Sequence, residues 1–272
     1  MIRNDLRAEP VRRLVVMGES NAYGMCASEP ANEWVQVLAN GIRRFQGEPV
    51  RVFNNAIPAN VISPDAPGYE QGRFGTWPSA IERFDRDMID CKADMAVYAY
   101  GLNDSRCGHS VASFMAAYRA IVVRTREALP DALIVLVGPY WNLQYDAETW
   151  AAPKYRNWIF GKFDRAGDDL VTAYNREIAA LADEVGGIFV DVYAMLEGAT
   201  WLINADACHF NDVGQAIIGN RVFCEVAARC SFLAAKSREI EEKLHLSTRN
   251  TGGTEALAEV VNNCRKPEGW AV

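Results

Sequence analysis

Three short stretches carry the residue types that nucleophilic chemistry needs. Ser20 lies in VVMGESNAYG (15–24), Asn103 in GLND (101–104), and Asp206 precedes His209 by three residues in DACH (206–209). A serine hydroxyl attacks a carbonyl only when a base takes its proton, and an imidazole is the natural base. The imidazole in turn needs an acceptor at its other nitrogen to fix its tautomer. Asp206, placed just before His209 on a tight loop, can reach back to supply one. Attack leaves negative charge on the carbonyl oxygen, which preset donors must meet. The backbone N–H of Ser20 is one candidate donor and the side-chain amide of Asn103 another. Taken alone, Ser20 is an ordinary turn or capping serine and Asn103 an ordinary turn asparagine. Only together with the Asp-x-x-His pair do they point to acyl chemistry.

Other reactive residues fit less well. The chain has three histidines, and His109 and His245 have no evident partner and read as surface or capping residues. Asp104 reads as structural. Cys208 sits beside His209, but one thiol and one imidazole fall short of the three or four ligands zinc takes, so no metal is expected. Residues 140–167 hold eight aromatic side chains without a helical period, which suits core and lid packing as well as a substrate platform. Trp141 and Asn142, at the start of that stretch, are candidate substrate contacts.

The elements must bring these residues together. Apolar runs at Arg13–Met17, Val50–Asn54, Met95–Tyr100, Leu133–Gly138 and Gly187–Val192 read as parallel strands covered on both faces. Amphipathic segments at Asn32–Phe45, Ser79–Cys91, Ser110–Leu129 and Asp168–Val185 alternate with them, and a last helix starts at Asn211–Asp212, with Asp as its cap. That rhythm predicts a doubly wound α/β domain, in which ligands bind at the carboxyl ends of the strands. Ser20, Asn103 and the Asp206–His209 pair all fall at that end.

Composition narrows the partners. A formal net charge of −7 argues against nucleic acid or an anionic membrane as the main partner. No apolar run approaches the roughly 18–20 residues of a transmembrane helix. The start of the chain has no apolar core of a secretory signal, and the seven cysteines are scattered without CxxC pairs. These features together read as a cytoplasmic protein with reduced thiols.

With these blocks in order, the chain resembles the SGNH hydrolases, the GDSL-type esterases and lipases. Gly18-Glu19-Ser20 is similar to their GDS block, Gly101-Leu102-Asn103-Asp104 matches GxND, and Asp206-Ala207-Cys208-His209 matches DxxH. The resemblance spans about residues 12–230 and implies a three-layer α/β/α, flavodoxin-like fold with a five-stranded parallel sheet in the order 2-1-3-4-5. It implies Ser20, Asp206 and His209 as catalytic residues, and an oxyanion hole formed by Ser20, Ala56 and Asn103. It implies no cofactor. Two departures stand out. Glu19 replaces the usual aspartate, a position structural in the family and kept here also as a substrate contact. Ala56 stands where the family's second block has glycine. The domain expectation is a hydrolase domain over 1–231, carrying the aromatic insertion at 140–167, followed by a helical extension over 232–272.

The functional expectation is hydrolysis of a small acyl ester, acetyl or short-acyl, through an acyl-serine. Two readings stay open beside it: an acyltransferase using the same residues, and a non-catalytic binding module, which the departures at Glu19 and Ala56 favour. A second copy of the chain is a candidate partner.

Overall fold

All five apolar runs become strands of one parallel sheet. The structure, a computed structural model, describes residues 4–67, 69, 77–141 and 166–243. The strands are β1 (Arg13–Gly18), β2 (Arg51–Asn54), β3 (Met95–Ala99), β4 (Leu133–Val137) and β5 (Ile188–Val190), and the sheet order is β2-β1-β3-β4-β5. β1 sits between β2 and β3, with Val16 opposite Asn54 on one side and Val97 on the other. Successive side chains leave a strand on opposite faces, and here each face meets its own core. Leu14, Val16, Val97, Val135 and Val137 face one cluster, whereas Val15, Met17, Tyr98, Ile134 and Leu136 face the other. This double burial of β1, β3 and β4 is why those strands read as continuous apolar runs.

Helices cover both faces. α2 (Trp34–Gln46) and α8 (Asp212–Ala227) pack on the first face, contributing Trp34, Leu38, Ile42, Ile218 and Val222. α3 (Ala80–Phe84), α5 (Val111–Ala128) and α6 (Ala166–Glu184) cover the second, with Phe84, Phe114, Tyr118, Tyr174 and Ile178. Three short helices escape the sequence pattern: α1 (Ser20–Tyr23), α4 (Leu102–Arg106) and α7 (Tyr193–Leu196). A single turn is too short to show a period. α9 (Ala235–Lys243) begins the expected extension; its remainder, and most of the aromatic insertion, lie outside the described residues.

Two local expectations are corrected. The segment expected as one helix over Ser79–Cys91 is α3 followed by a wider π-type turn over Asp85–Ile89, where the Asp90 N–H reaches the Asp85 carbonyl at 2.9 Å. The cap of α8 is Asn211, whose Oδ1 accepts the Gly214 N–H at 3.1 Å, and not Asp212. Asp212 is committed elsewhere: it accepts the Ser28 N–H at 2.8 Å and the Ser28 hydroxyl at 2.5 Å. Among the described residues no helix is long and apolar enough to cross a membrane.

Candidate active site

Gly18 ends β1, and the chain turns at once into α1. A Cβ on Gly18 would come within 2.7 Å of the Ala22 Cβ and 2.9 Å of the Ala99 carbonyl, so only glycine lets α1 fold back this closely. The turn sets Ser20 at the first position of α1, buried, with its Oγ 2.8 Å from His209 Nε2. At that position its N–H has no acceptor within the helix.

His209 arrives on a different support. Ile203 and Phe210 form an antiparallel bridge, and the Asn204 N–H donates to the His209 carbonyl at 2.8 Å, which folds 204–209 into a tight loop. Ala207 takes a φ of 63° at its tip. Asp206 is thereby turned back on its own loop. Its Oδ1 accepts the N–H groups of Cys208 at 3.0 Å and His209 at 2.9 Å, and its Oδ2 lies 2.5 Å from His209 Nδ1. Burial alone would raise the Asp206 carboxyl, but hydrogen bonds from the His209 ring and from the two backbone amides outweigh it and hold the group at about 2. A carboxylate there keeps the ring proton on Nδ1 and leaves Nε2 as an acceptor facing Ser20.

Glu19 organises the third arm. Expected as a substrate contact, it is instead buried, and its carboxyl oxygens are taken up by main-chain donors. Oε1 accepts the N–H groups of Gly101 at 2.6 Å and Leu102 at 3.0 Å, and Oε2 accepts that of Asn103 at 3.0 Å. Gly101, at a φ of 124°, makes the turn that presents all three. The long side chain of Glu19 thus spans the gap between the Ser20 turn and the start of α4. Burial, with the nearby Asp104 charge, pushes the Glu19 carboxyl up to about 8 against the pull of those three donors.

Asn103 spends one side-chain hydrogen on the Asn60 carbonyl at 3.1 Å. Asn60 is held in turn by buried Arg83, whose guanidinium donates to Asn60 Oδ1 at 3.0 Å, to the Asn55 carbonyl at 2.7 Å and to Asp87 at 2.6 Å. Ala56 lies within the loop so braced and is buried; its N–H makes a long contact of 3.3 Å with Asn54 Oδ1.

Several residues stand differently from the sequence reading. His109 is corrected from a surface or capping residue to a buried one, with Nδ1 2.9 Å from Asp104 and Nε2 3.0 Å from Ser113. Asp104 is buried in that pair and also meets the Ile62 N–H at 3.3 Å, a structural placement. Cys208 is buried against Arg106 Nη1 at 3.4 Å, and burial pushes its thiol up to about 11, so it stays an unreactive neutral thiol. Trp141 is half-buried against the core on the α2 and α8 face, while Asn142 and His245 fall outside the described residues. Cys26 was missed: it is exposed, with Sγ 3.7 Å from Asp206 Oδ2. No local motif signals it, because its partner lies far away in the chain. A cleft of about 710 Å³ exists at the amino ends of the strands, lined by Arg13, Asp94 and Leu133 among others, on the opposite side from this chemistry.

Comparisons with known proteins bear on the family and the fold. Among curated proteins, none matches the chain. Among solved structures, the chain is similar to the acetylxylan esterase Axe2 from Geobacillus stearothermophilus. The two share 18% identity and a TM-score of 0.55 over 79% of this chain and 94% of that one. Catalytic mutants of Axe2 replace an aspartate, a histidine and a serine. The chain is likewise similar to TesA, at 18% identity and a TM-score of 0.57, over 80% of this chain and 99% of that one. Both likenesses are of fold. The model of the GDSL-like lipase/acylhydrolase family matches residues 16–217, a span that holds Ser20, Asn103, Asp206 and His209, and the chain belongs to that family.

Proposed function

We propose that the protein is a serine ester hydrolase acting on a small acyl ester, in which Ser20, His209 and Asp206 work as one relay. The observation that carries this is the unbroken line from Asp206 Oδ2 through the His209 ring to Ser20 Oγ, at 2.5 and 2.8 Å. Ser20 attacks the acyl carbonyl as His209 Nε2 takes its proton. Asp206 stabilises the imidazolium that results. The Ser20 N–H, the second side-chain hydrogen of Asn103 and the Ala56 N–H meet the oxyanion, the last on release from its long contact with Asn54. His209 then delivers its proton to the leaving alcohol, and water, activated by the same imidazole, frees the acyl group from Ser20. No step calls for a cofactor.

The departures that favour a non-catalytic module sit comfortably with catalysis. Glu19 fixes the backbone that carries Asn103, and alanine at position 56 keeps its N–H. Axe2, an esterase of the same fold, supports an acetyl or short-acyl ester as the substrate class. The test is hydrolysis of p-nitrophenyl acetate by the purified protein and by Ser20→Ala. Loss of at least about 10³-fold in kcat is expected for a relay that acts as a unit. Full activity in the variant would refute the mechanism.

A further inference from the structure

Cys26 puts a sulfur beside the carboxylate and imidazole of the relay. Among the described residues, Cys26, Asp206 and His209 form a group of three metal-ligating side chains with donor atoms all within 4.8 Å of one another. We propose that this trio is an inhibitory site for a thiophilic divalent cation of the zinc type, which switches the enzyme off by capturing its base; the inhibitory half of the proposal rests on the hydrolase reading above.

The donor set suits that class of ion. Thiolate, imidazole and carboxylate bind zinc at about 2.3, 2.0 and 2.1 Å, and three protein ligands plus water complete a tetrahedron. Such bond lengths imply a sulfur–oxygen separation of roughly 3.6 Å, against 3.7 Å here between Cys26 Sγ and Asp206 Oδ2. Asp206 Oδ2 and His209 Nδ1, now 2.5 Å apart, need only part by about 1 Å once the proton between them leaves. Magnesium and calcium, which take several oxygens, find one carboxylate here and are disfavoured.

The site is also held in shape. Cys26 follows α1 in a turn closed by the Met25 N–H on the Ser20 carbonyl at 3.0 Å and the Ala27 N–H on that of Gly24 at 3.1 Å. Two residues on, Ser28 is clamped to Asp212, and Asn32 donates to the same carboxylate at 2.9 Å. Asp212 begins α8, three residues after His209. The loop that carries the sulfur is therefore tied to the segment that carries the other two donors. Cys26 is exposed, so an ion arriving from solvent meets it first.

Capture would silence the base without covering Ser20. The Cys26 thiol gives its proton to solvent and binds as thiolate. The ion takes the Nδ1 lone pair, so the ring proton moves from Nδ1 to Nε2 and the ring stays neutral. Nε2–H then donates to Ser20 Oγ, where it previously accepted, and the serine has lost its base. One proton is released for each ion bound.

The experiment pairs activity with spectroscopy. Zinc chloride is titrated against p-nitrophenyl acetate hydrolysis by the wild type and by Cys26→Ser, each relative to its own metal-free rate. Reversible inhibition relieved by EDTA is expected, with the inhibitory concentration raised at least about tenfold in Cys26→Ser. Separately, Ser20→Ala is titrated with cobalt(II). It should develop the near-ultraviolet thiolate-to-cobalt charge-transfer band, and the double variant Ser20→Ala/Cys26→Ser should not. This arm needs no turnover, so it reads the metal site even if the hydrolase assignment fails. Equal inhibition of wild type and Cys26→Ser, an active wild type untouched by zinc, or a band absent from Ser20→Ala or present in the double variant would each overturn the proposal.

Discussion

Two carboxyl groups beside Ser20 have opposite environments, and their titrations should differ accordingly. Asp206 is held at about 2 by hydrogen bonds and stays ionised wherever the enzyme works. Asp206→Asn presents an amide where His209 needs an anion, so kcat should fall by about 10²–10⁴-fold with KM little changed; steady-state kinetics checks this. Glu19 is raised to about 8 from 4.5, so between those values the folded chain holds a proton that the unfolded chain has lost. Stability should therefore fall as pH rises from about 4.5 to about 8, by at most about 1.4 kcal/mol per pH unit from this group, and level off above. Urea midpoints across that range should show the slope in wild type and a flatter curve in Glu19→Gln; parallel curves would exclude Glu19 as the source. At this scale the sequence was informative where residues close in the chain also form a short motif, as with Asp206 and His209. It was silent where partners are distant. Glu19 looked like a pocket residue because its three donors lie more than 80 positions away; His109 looked solitary although Asp104 and Ser113 lie only five and four positions from it, because no motif marks either as its mate.

Between residue and fold, the loop after β2 is the element whose precision matters most. Arg83 braces it from α3, and the wider turn over Asp85–Ile89 keeps Asp87 against the guanidinium. Arg83→Met should leave Asp87 paired only with the exposed Arg86 and cost about 1–3 kcal/mol of stability. Because Asn60 would lose one of its three side-chain partners, the folded fraction should also react more slowly with a fluorophosphonate, by about tenfold if one oxyanion donor drifts. Chemical denaturation and the labelling rate measure the two effects separately, and an unchanged labelling rate would reduce Arg83 to a structural ion pair. The strands were legible because double burial writes itself as apolar runs. Residues 55–62, after β2, were not, since buried Arg83 and other partners distant in the chain hold them and no period does.

Over the whole molecule, two covered sheet faces hold the nucleophile turn and the histidine loop in register. α8 leaves the histidine loop and packs along α2 so closely that a Cβ on Gly219 would lie 2.6 Å from the Trp34 carbonyl and 2.7 Å from the Val37 Cβ. Gly219→Val should force the helices apart, at a cost of at least about 1–3 kcal/mol, and lower Tm by several degrees. Activity per folded molecule should hold, because the contact lies in the middle of α8; calorimetry beside active-site titration decides. The sheet order 2-1-3-4-5 was available from the family resemblance and not from composition, which fixes only that strands and helices alternate.

The central claim is that Ser20 is a nucleophile activated by His209. Its most direct test is mass spectrometry of the protein after reaction with a fluorophosphonate, followed by peptide mapping. A single stoichiometric adduct on Ser20 is expected, and it should fail to form in His209→Ala. A well-folded protein left unlabelled, or labelled at another residue, would contradict it.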